Sequence, residues 1–386
     1  MKPFFRDLPI AWLQLSHSRM KLVAAVVGIV FADLLMWMQL GFLAAAITSG
    51  TYLHTLLRGE LVILNPQTQM LNQPKPFPRR HLARVLGHPD IAAATALYTG
   101  AAQWRDPETG EKRSLSVYGI VPYAPAIVAP GVLESAPLLH EADTVLFDTR
   151  SRPEFAGVVA ELQAGERVEA EVNNRHIKVV GTTTIGTSFQ SDGTLVTSDL
   201  NFQRLTGRPP GSIDLGVVRV RPGADAEQVK VELQGVLGPH LLILIIDEYI
   251  DRELGYMMRR SPVNFVFTLG TAVGFLVGFT IVYQVLFTDV SNHLPQYATL
   301  KAIGYSDGYL QGIVLQSAFI LSVLGYFPGT LLSRVLYTIA ARATRLPMEM
   351  TWGRGVLIFV LTVVMCSFSG LLAMRKLKQA DPADVF

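Results

Sequence analysis

The chain has 386 residues, of which 50% are hydrophobic and 17% are charged, and its mean hydropathy is +0.33. This composition is too apolar for an ordinary soluble protein and fits a mixture of membrane spans and one sizeable soluble domain. The net charge of +2 excludes the strongly basic balance of a nucleic-acid-binding protein, and the single cysteine excludes an intrachain disulfide or a thiolate metal cluster.

Four apolar stretches are long enough for a helix that crosses a bilayer, which takes about 20 apolar residues. The first follows basic residues, as a signal peptide does, but it is about twice as long as a signal core, so we predict an uncleaved anchor. We predict membrane spans at 22–47, 261–288, 310–334 and 355–374. The other segments are then a cytoplasmic N-terminal segment at 1–21, an extracytoplasmic domain at 48–260, a cytoplasmic segment at 289–309, a short outer loop at 335–354 and a cytoplasmic tail at 375–386.

Lysine and arginine residues near the ends of the spans predict the orientation of the chain. Eight of them lie in the segments that we assign to the cytoplasm, against four in or directly beside the loop 335–354, namely Arg334, Arg342, Arg345 and Arg354. The segment 48–260 does not enter this comparison, because long loops cross the membrane largely regardless of their charge. The asymmetry predicts a multi-pass membrane protein with both termini in the cytoplasm.

The segment 48–260 alternates strand-like and helix-like stretches. The turn sequences Asp106-Pro-Glu-Thr-Gly110 and Asn173-Asn174 each lie between two strand-like runs and predict two β-hairpins. Ser198 is predicted to be the N-cap of a short helix. We predict strands at 61–64, 98–104, 114–120, 145–147, 167–172, 176–184, 213–220 and 241–246, and helices at 78–86, 198–205, 224–237 and 247–260. The expected fold is an α-helical membrane protein with four transmembrane helices and a large α+β extracytoplasmic domain between helices 1 and 2.

The sequence offers no recognisable set of catalytic or metal-binding residues. It contains no Gly-rich loop ending in Gly-Lys-Ser/Thr, no His-Glu-x-x-His and no Gly-x-Ser-x-Gly. The histidines, His54 among them, are scattered and are predicted to be surface or turn residues. The acids of the helix 247–260 are predicted to be solvated. We therefore expect a non-catalytic chain without a cofactor or metal of its own.

Two features interrupt the apolar spans. Asp33 lies about 18 Å along the first span, counted from Lys21 at 1.5 Å per residue. A carboxylate that faced lipid there would cost roughly 2.5–3.5 kcal/mol, so Asp33 is expected to face the interior of the bundle or of a dimer. A proton-relay role is the alternative. Gly270, Gly274 and Gly278 have the spacing of a strip that a neighbouring helix approaches closely, although glycine is also common in membrane helices generally.

A short polar segment separates the second and third spans. Its proline suits the first turn of a helix and its last glycine suits a helix end. Apolar residues between them recur at helical spacing, which predicts a short amphipathic helix on the cytoplasmic membrane surface. This helix either anchors the chain to the surface or contacts a cytoplasmic partner. The residues assigned to a partner contact are Pro295, Gln296, Tyr297, Thr299, Leu300, Lys301, Ile303 and Gly304, with Tyr297, Leu300 and Ile303 as apolar anchors and Lys301 at the rim.

Three segments resemble one family of membrane proteins. Gln296-Tyr-Ala-Thr-Leu-Lys-Ala-Ile-Gly304 is similar to the pattern Glu-x-Gly/Ala-x-Leu-Arg/Lys-Ala-x-Gly of MacB/FtsX-type permeases, the membrane subunits of ABC systems. Arg375-Lys-Leu-Lys-Gln-Ala-Asp-Pro-Ala-Asp384 resembles the closing segment of that family, and Phe31-Ala-Asp-Leu-Leu-Met-Trp-Met-Gln-Leu-Gly41 resembles its DevC branch. Gln296 departs from the pattern, so an ion pair made by the usual Glu is not carried over.

The resemblance implies the permease subunit of a MacB-like ABC exporter in the bacterial inner membrane, acting as a homodimer. ATP and Mg would be bound by a separate DevA/MacB-like ATPase subunit dimer, and a DevB/HlyD-like membrane fusion protein would continue a tripartite efflux system. This chain would relay the ATP-driven change to its outer domain, a process termed mechanotransmission. The alternative is an FtsX-like transmitter that activates an extracytoplasmic hydrolase without export. Lipid, glycolipid, peptide and drug all remain candidate cargoes.

Overall fold

A computed structural model describes residues 8–17, 19–106 and 109–378, and the chain divides into two compact units. We refer to residues 1–44, 265–339 and 348–386 as the helical unit, and to residues 45–264 and 340–347 as the sheet domain. Most of the predicted cytoplasmic tail, residues 379–386, lies outside the described residues.

The chain begins with helix α1 (Leu8–His17), which was not predicted, and the long helix α2 (Arg19–Thr55). The 37 residues of α2 extend over about 55 Å at 1.5 Å per residue, so the helix continues well past the predicted span end at residue 47. Its residues up to 44 belong to the helical unit, and its last turns belong to the sheet domain.

The sheet domain contains a nine-stranded mixed sheet of order β11-β1-β10-β3-β4-β8-β5-β7-β6 and a small pair, β2 with β9. The predicted hairpins are confirmed, because β3 pairs with β4 and β6 with β7, both antiparallel. The pairs β4–β8 and β5–β7 are parallel. The strands are β1 (Leu61–Leu64), β2 (Phe77–Pro78), β3 (Ile91–Arg105), β4 (Lys112–Ile120), β5 (Thr144–Asp148), β6 (Val168–Val172), β7 (Arg175–Thr183), β8 (Thr194–Ser198), β9 (Ser212–Ile213), β10 (Leu215–Val220) and β11 (Leu242–Ile245).

Six helices accompany the sheet. Ser198 is the N-cap of the fourth of them, as predicted, because its Oγ accepts a hydrogen bond of 3.2 Å from the Asn201 backbone N–H. The helices are α3 (Arg80–Leu86), α4 (Val132–Ser135), α5 (Ala156–Gln163), α6 (Asp199–Thr206), α7 (Ala226–Leu237) and α8 (Ile246–Arg260).

The sheet has a hydrophobic layer on each face. In β1, Leu61 and Ile63 point into one layer and Val62 and Leu64 into the other, as the two-residue period of a strand requires. Residues of α3, α5, α6 and α7 complete the first layer. The last turns of α2, together with α8 and the segment 120–139, complete the second.

Three predictions for this domain need correction. The strand 213–220 is interrupted at Asp214, whose buried carboxylate accepts a 2.9 Å hydrogen bond from the Thr99 N–H and pairs with Arg208. His54 is not a surface residue, since its side chain is completely buried. Glu253 of α8 is not solvated like the other acids of that helix, because its carboxylate is buried beside His54.

The remaining helices are α9 (Pro262–Asn292), α10 (Leu294–Ala302), α11 (Asp307–Thr344) and α12 (Trp352–Lys378). In the described part of the chain, α2, α9, α11 and α12 are long and apolar enough to cross a membrane. The predicted fold class is therefore confirmed: four such helices, with a large mixed α/β domain between the first and second. The helix α11 continues ten residues beyond the predicted span end at 334, because no proline or glycine interrupts 335–344.

Candidate functional site

The helix α10 is a short, well-defined element between two apolar helices. Pro295 lies in its first turn, where a missing N–H leaves no hydrogen bond unmade. Gly304, with a φ of +102°, ends it. The Gly304 N–H donates to the Lys301 carbonyl at 3.0 Å and the Tyr305 N–H donates to the Leu300 carbonyl at 3.1 Å, which together form a Schellman motif. The sequence therefore fixes both ends of this helix locally.

Tyr297 attaches α10 to the rest of the helical unit. Its side chain is only 3% exposed and lies in a cluster with Val290 of α9, Leu310 of α11 and Met374 of α12. Its hydroxyl donates a 3.3 Å hydrogen bond to Gln14 Oε1 of α1, and burial raises the pKa of Tyr297 to about 12. The structure thus turns this predicted partner contact inward, because a phenol ring gains more from the apolar cluster than from water.

The outward side of α10 carries other residues of the predicted contact. Leu300 is half-buried against the same cluster as Tyr297, whereas Ile303 is 71% exposed. Tyr305 is also exposed, and its ring centroid lies 4.7 Å from that of Tyr309. Pro295 and Gly304 are exposed as well. The exposed polar residues of the predicted set are Gln296, Thr299 and Lys301. Ile303 and Tyr305 are therefore exposed apolar residues directly after α10, whereas Tyr297 is buried.

Lys301 forms an exposed ion pair across the turn after α10. Its Nζ lies 3.1 Å from Asp307 Oδ1, and both side chains are about half exposed. Exposed pairs of this kind contribute at most about 1 kcal/mol. Lys301 therefore has a local role in the turn in addition to the rim contact predicted for it.

A buried acid at the end of α9 was missed by the sequence analysis. Asp289 is 8% exposed, and the His293 Nδ1 atom lies 2.9 Å from its carbonyl oxygen and 3.5 Å from its Oδ1. The signal in the sequence was an acid at the edge of an apolar run with a histidine four residues later, one helical turn away. The pair marks the junction between α9 and α10.

Asp33 lies in the interior of the helical unit, in contact with α12 and α11. Its Oδ1 is 2.6 Å from the hydroxyl of Thr362, which also lies 2.8 Å from the Ile358 carbonyl, while its Oδ2 has no hydrogen-bond partner among the described residues. A hydroxyl has one hydrogen, and a carbonyl only accepts. If Thr362 donates to Ile358, the short contact requires a proton on Asp33, which also removes the cost of a buried charge.

The predicted glycine strip of α9 lies against α2 of the same chain. A Cβ atom on Gly274 would lie 3.1 Å from Leu35 Cβ, and one on Gly278 would lie 2.5 Å from both Ala32 Cβ and Met365 Sδ. Gly270 faces the amide of Gln39 in the same way. The helices approach closely here because the glycines lack side chains.

The described residues include no group of three or more His, Cys, Asp or Glu side chains that would hold a metal ion. In the same part of the chain, the ring of Tyr297 lies in one apolar cluster with residues of α9, α11 and α12.

Parts of this chain are similar to known proteins. Residues 268–382, which include most of α9 and all of α10, α11 and α12, match the family model described as the FtsX-like permease C-terminal. No curated protein matches the chain. The periplasmic region of MacB from Actinobacillus actinomycetemcomitans is similar at 12% identity and a TM-score of 0.36, over 51% of this chain and 92% of that one. The extracellular domain of the noncanonic ABC-type transporter YknZ from Gram-positive bacteria is similar at 11% identity and a TM-score of 0.31, over 48% and 98%.

Proposed function

We propose that this chain is the permease subunit of an ABC-type system and that a separate cytoplasmic ATPase binds it at segment 289–309. The observation that carries this proposal is α10, a helix with a proline in its first turn and a Schellman motif at its end, held between two apolar helices inside the region 268–382 that matches the FtsX-like permease C-terminal model. Such a helix gives a soluble partner a rigid binding site that is connected to the membrane helices.

The packing of Tyr297 supports a mechanical role for α10. A displacement of α10 is delivered to α9, α11 and α12 together, because the ring is buried among residues of all three. We propose that these helices pass the movement on to the sheet domain without forming a channel, which is the mechanotransmission of MacB-like exporters. In this view ATP and Mg are bound by the partner ATPase, and the exporter is of the DevC type, with a homodimer of this chain and a membrane fusion protein of the DevB/HlyD type.

The proposed orientation places both termini in the cytoplasm of a bacterium and the sheet domain outside the inner membrane. One contact agrees with the four-span topology on which this orientation depends: the Thr187 hydroxyl donates a 3.4 Å hydrogen bond to the Arg345 carbonyl, so the loop after α11 lies with the sheet domain. In a Cys366→Ala background, Gln163→Cys should react with an impermeant thiol reagent in intact cells, and Ser306→Cys should react only after lysis. The reverse pattern would contradict both the orientation and the ATPase site.

The ATPase contact is tested by affinity purification of the tagged chain from its native cells in mild detergent. We expect an ATPase to co-purify with the wild-type chain and with Ile303→Leu, and to be lost with Ile303→Asp, because apolar anchors dominate interfaces. Val236→Asp, which places the same charge on an exposed apolar site of α7, is the matched control and should retain the ATPase. Retention of the ATPase by Ile303→Asp at the wild-type level would show that segment 289–309 is not the coupling site.

The alternative function is that of an FtsX-like transmitter, a reading that agrees equally well with the match to the FtsX-like permease C-terminal model. A transmitter would use the same ATPase contact but would bind an extracytoplasmic hydrolase in place of a fusion protein. Crosslinking of the sheet domain in intact cells, followed by identification of the captured protein, separates the two. Capture of a hydrolase without a fusion protein would favour the signalling function over export.

A further inference from the structure

A buried His–Glu pair lies where two helices enter the sheet domain. His54 belongs to the last turn of α2, and Glu253 lies in the middle of α8. Their side chains are 0% and 2% exposed, and His54 Nε2 is 2.8 Å from Glu253 Oε2. Two ionisable groups removed from water in this way are costly unless they are paired and hydrogen-bonded, so the contact needs an explanation beyond packing.

The hydrogen bonds around the pair fix the proton count. His54 Nδ1 lies 3.2 Å from the Thr51 carbonyl, which only accepts, so Nδ1 carries a hydrogen. One further proton is shared between Nε2 and Oε2, and the pair is net neutral whichever atom holds it. Glu253 Oε2 also accepts a 3.2 Å hydrogen bond from the Leu71 backbone N–H. One carboxylate oxygen therefore connects α2, α8 and the loop after β1.

The neighbouring side chains enclose the pair. The Tyr249 ring lies 4.6 Å from the imidazole, centroid to centroid, and burial keeps the pKa of Tyr249 well above its usual value, so this phenol stays neutral. Arg252, the neighbour of Glu253, donates a 2.9 Å hydrogen bond to the Pro66 carbonyl. Residues 252 and 253 thus hold the loop 66–71 at two points.

The position of the pair in the chain suggests what it is for. The helix α2 continues from His54 back into the helical unit, and α8 is followed, after the single extended residue Ser261, by α9. These are two of the connections through which the apolar helices join the sheet domain. A buried polar contact between them makes the ends of both helices move together, because separating them would leave two buried polar groups without their partners.

We propose that His54 and Glu253 are positioning residues that clamp α2 to α8, so that a displacement of either helix reaches the sheet as the movement of one body. This inference rests on the proposed relay function and names the contact that would deliver the relayed movement. A catalytic role does not fit the geometry, since both groups are closed off from solvent and the described residues around them include no third metal ligand.

The clamp itself is tested without any partner, by hydrogen exchange and mass spectrometry on the full-length chain in detergent. His54→Ala and Glu253→Ala should each raise exchange about tenfold in the same segments, the end of α2, α8 and the loop 66–71, and the double variant should add little. The control is His88→Ala, which breaks a His–Glu contact of 2.7 Å to Glu232 at the surface and should leave those segments unchanged. Unchanged protection in His54→Ala, or additive effects of the two changes, would overturn the clamp.

The positioning role is tested in the complex with the co-purified ATPase. We expect Glu253→Gln to keep ATP turnover within about twofold of the wild type and to lose the ATP-dependent change in exchange of the sheet domain. Glu253→Asp, which keeps the charge, should recover part of that change. If Glu253→Gln keeps the full response, the pair is structural only. If the wild-type complex itself shows no ATP-dependent change, the proposed function fails while the clamp measured above still stands.

Discussion

The helical unit and the sheet domain both combine close glycine contacts with buried aromatic rings, but they displace different solvents. In the helical unit Gly278 lies against Ala32 and Met365, and Trp37 is 2% exposed. In the sheet domain the centre is occupied by aromatic rings. Trp104 is completely buried, with its ring centroid 5.3 Å from that of Phe147.

The energetic value of these contacts depends on the solvent that each unit displaces. Burial of a large apolar side chain is strongly favourable when it leaves water, so the sheet domain gains by enclosing tryptophan and phenylalanine. Between helices surrounded by lipid tails this gain is absent, and close backbone packing takes its place. Burial of the same side chain therefore contributes a different free energy in the two units, and substitutions should show this difference.

The two units also differ in how many hydrogen-bond partners a buried acid has. Asp33 in the helical unit has one hydroxyl partner, Thr362, and an unpartnered Oδ2 among the described residues. Glu253 in the sheet domain has an imidazole and a backbone N–H on one oxygen. Because Glu253 has more hydrogen-bond partners than Asp33, the two sites are expected to respond differently to loss of the carboxyl group.

The largest loss of stability is expected from a substitution in the aromatic core of the sheet domain. Trp104→Ala should destabilise the sheet domain by about 3–5 kcal/mol, because it leaves a large cavity beside Phe147 and Phe155. Trp352→Ala in the helical unit is the matched control, since that ring is 92% exposed and should contribute little. Hydrogen exchange in the full-length chain reports each unit separately. Equal losses for the two tryptophans would show that burial of the Trp104 ring is not what stabilises this core.

The second prediction concerns the glycine contacts. Gly278→Leu should destabilise the helical unit by about 1–3 kcal/mol, because the added side chain collides with Ala32 and Met365 and separates α9 from α2. Gly312→Leu, in α11, has no neighbour within 4 Å of a new Cβ and should be tolerated. Thermal denaturation in detergent, followed by size exclusion, gives the comparison. If Gly278→Leu denatures like Gly312→Leu, close packing at this strip does not hold the unit together.

A smaller effect, expected only in the sheet domain, depends on pH. A hydrogen bond of 2.9 Å from Lys230 holds the pKa of Glu248 below its usual value of 4.5. A carboxyl whose folded-state pKa is depressed adds stability above the unfolded-state pKa and loses it as the pH falls through the folded-state pKa.

Glu248→Gln should therefore be less stable than the wild type near neutral pH, by less than about 1 kcal/mol because the side chain is 43% exposed and screened. The difference should shrink as the pH is lowered below 4.5. Unfolding midpoints of both chains across this pH range provide the measurement. A difference that stays constant with pH would show that the lost hydrogen bonds matter and the charge does not.

The smallest expected effect is at Asp33. If the acid is neutral in the helical unit, Asp33→Asn replaces one uncharged hydrogen-bond donor by another and should change stability by less than about 1 kcal/mol. Asp33→Leu, which leaves Thr362 without this partner, should cost more. Loss of ATP-dependent response in a well-assembled Asp33→Asn complex would instead favour the proton-relay alternative.

Several features of this protein follow from short stretches of its sequence. The four apolar helices are determined by length and hydropathy, because a backbone in lipid must satisfy its own hydrogen bonds. The hairpin at Asn173 and Asn174 is local, since both residues adopt positive φ, a conformation that asparagine tolerates. The ends of α10 are likewise determined by Pro295 and Gly304, which lie within it or directly beside it.

Other features were decided only by the tertiary structure. Helical spacing showed that α10 has an apolar stripe, but not that Tyr297 turns into the bundle while Ile303 faces outward, because periodicity does not identify what covers a face. His54 meets Glu253 across 199 residues, and Asp33 meets Thr362 across 329. A polar side chain reads the same in sequence whether it is solvated or paired, and only the fold brings its partner within hydrogen-bond distance.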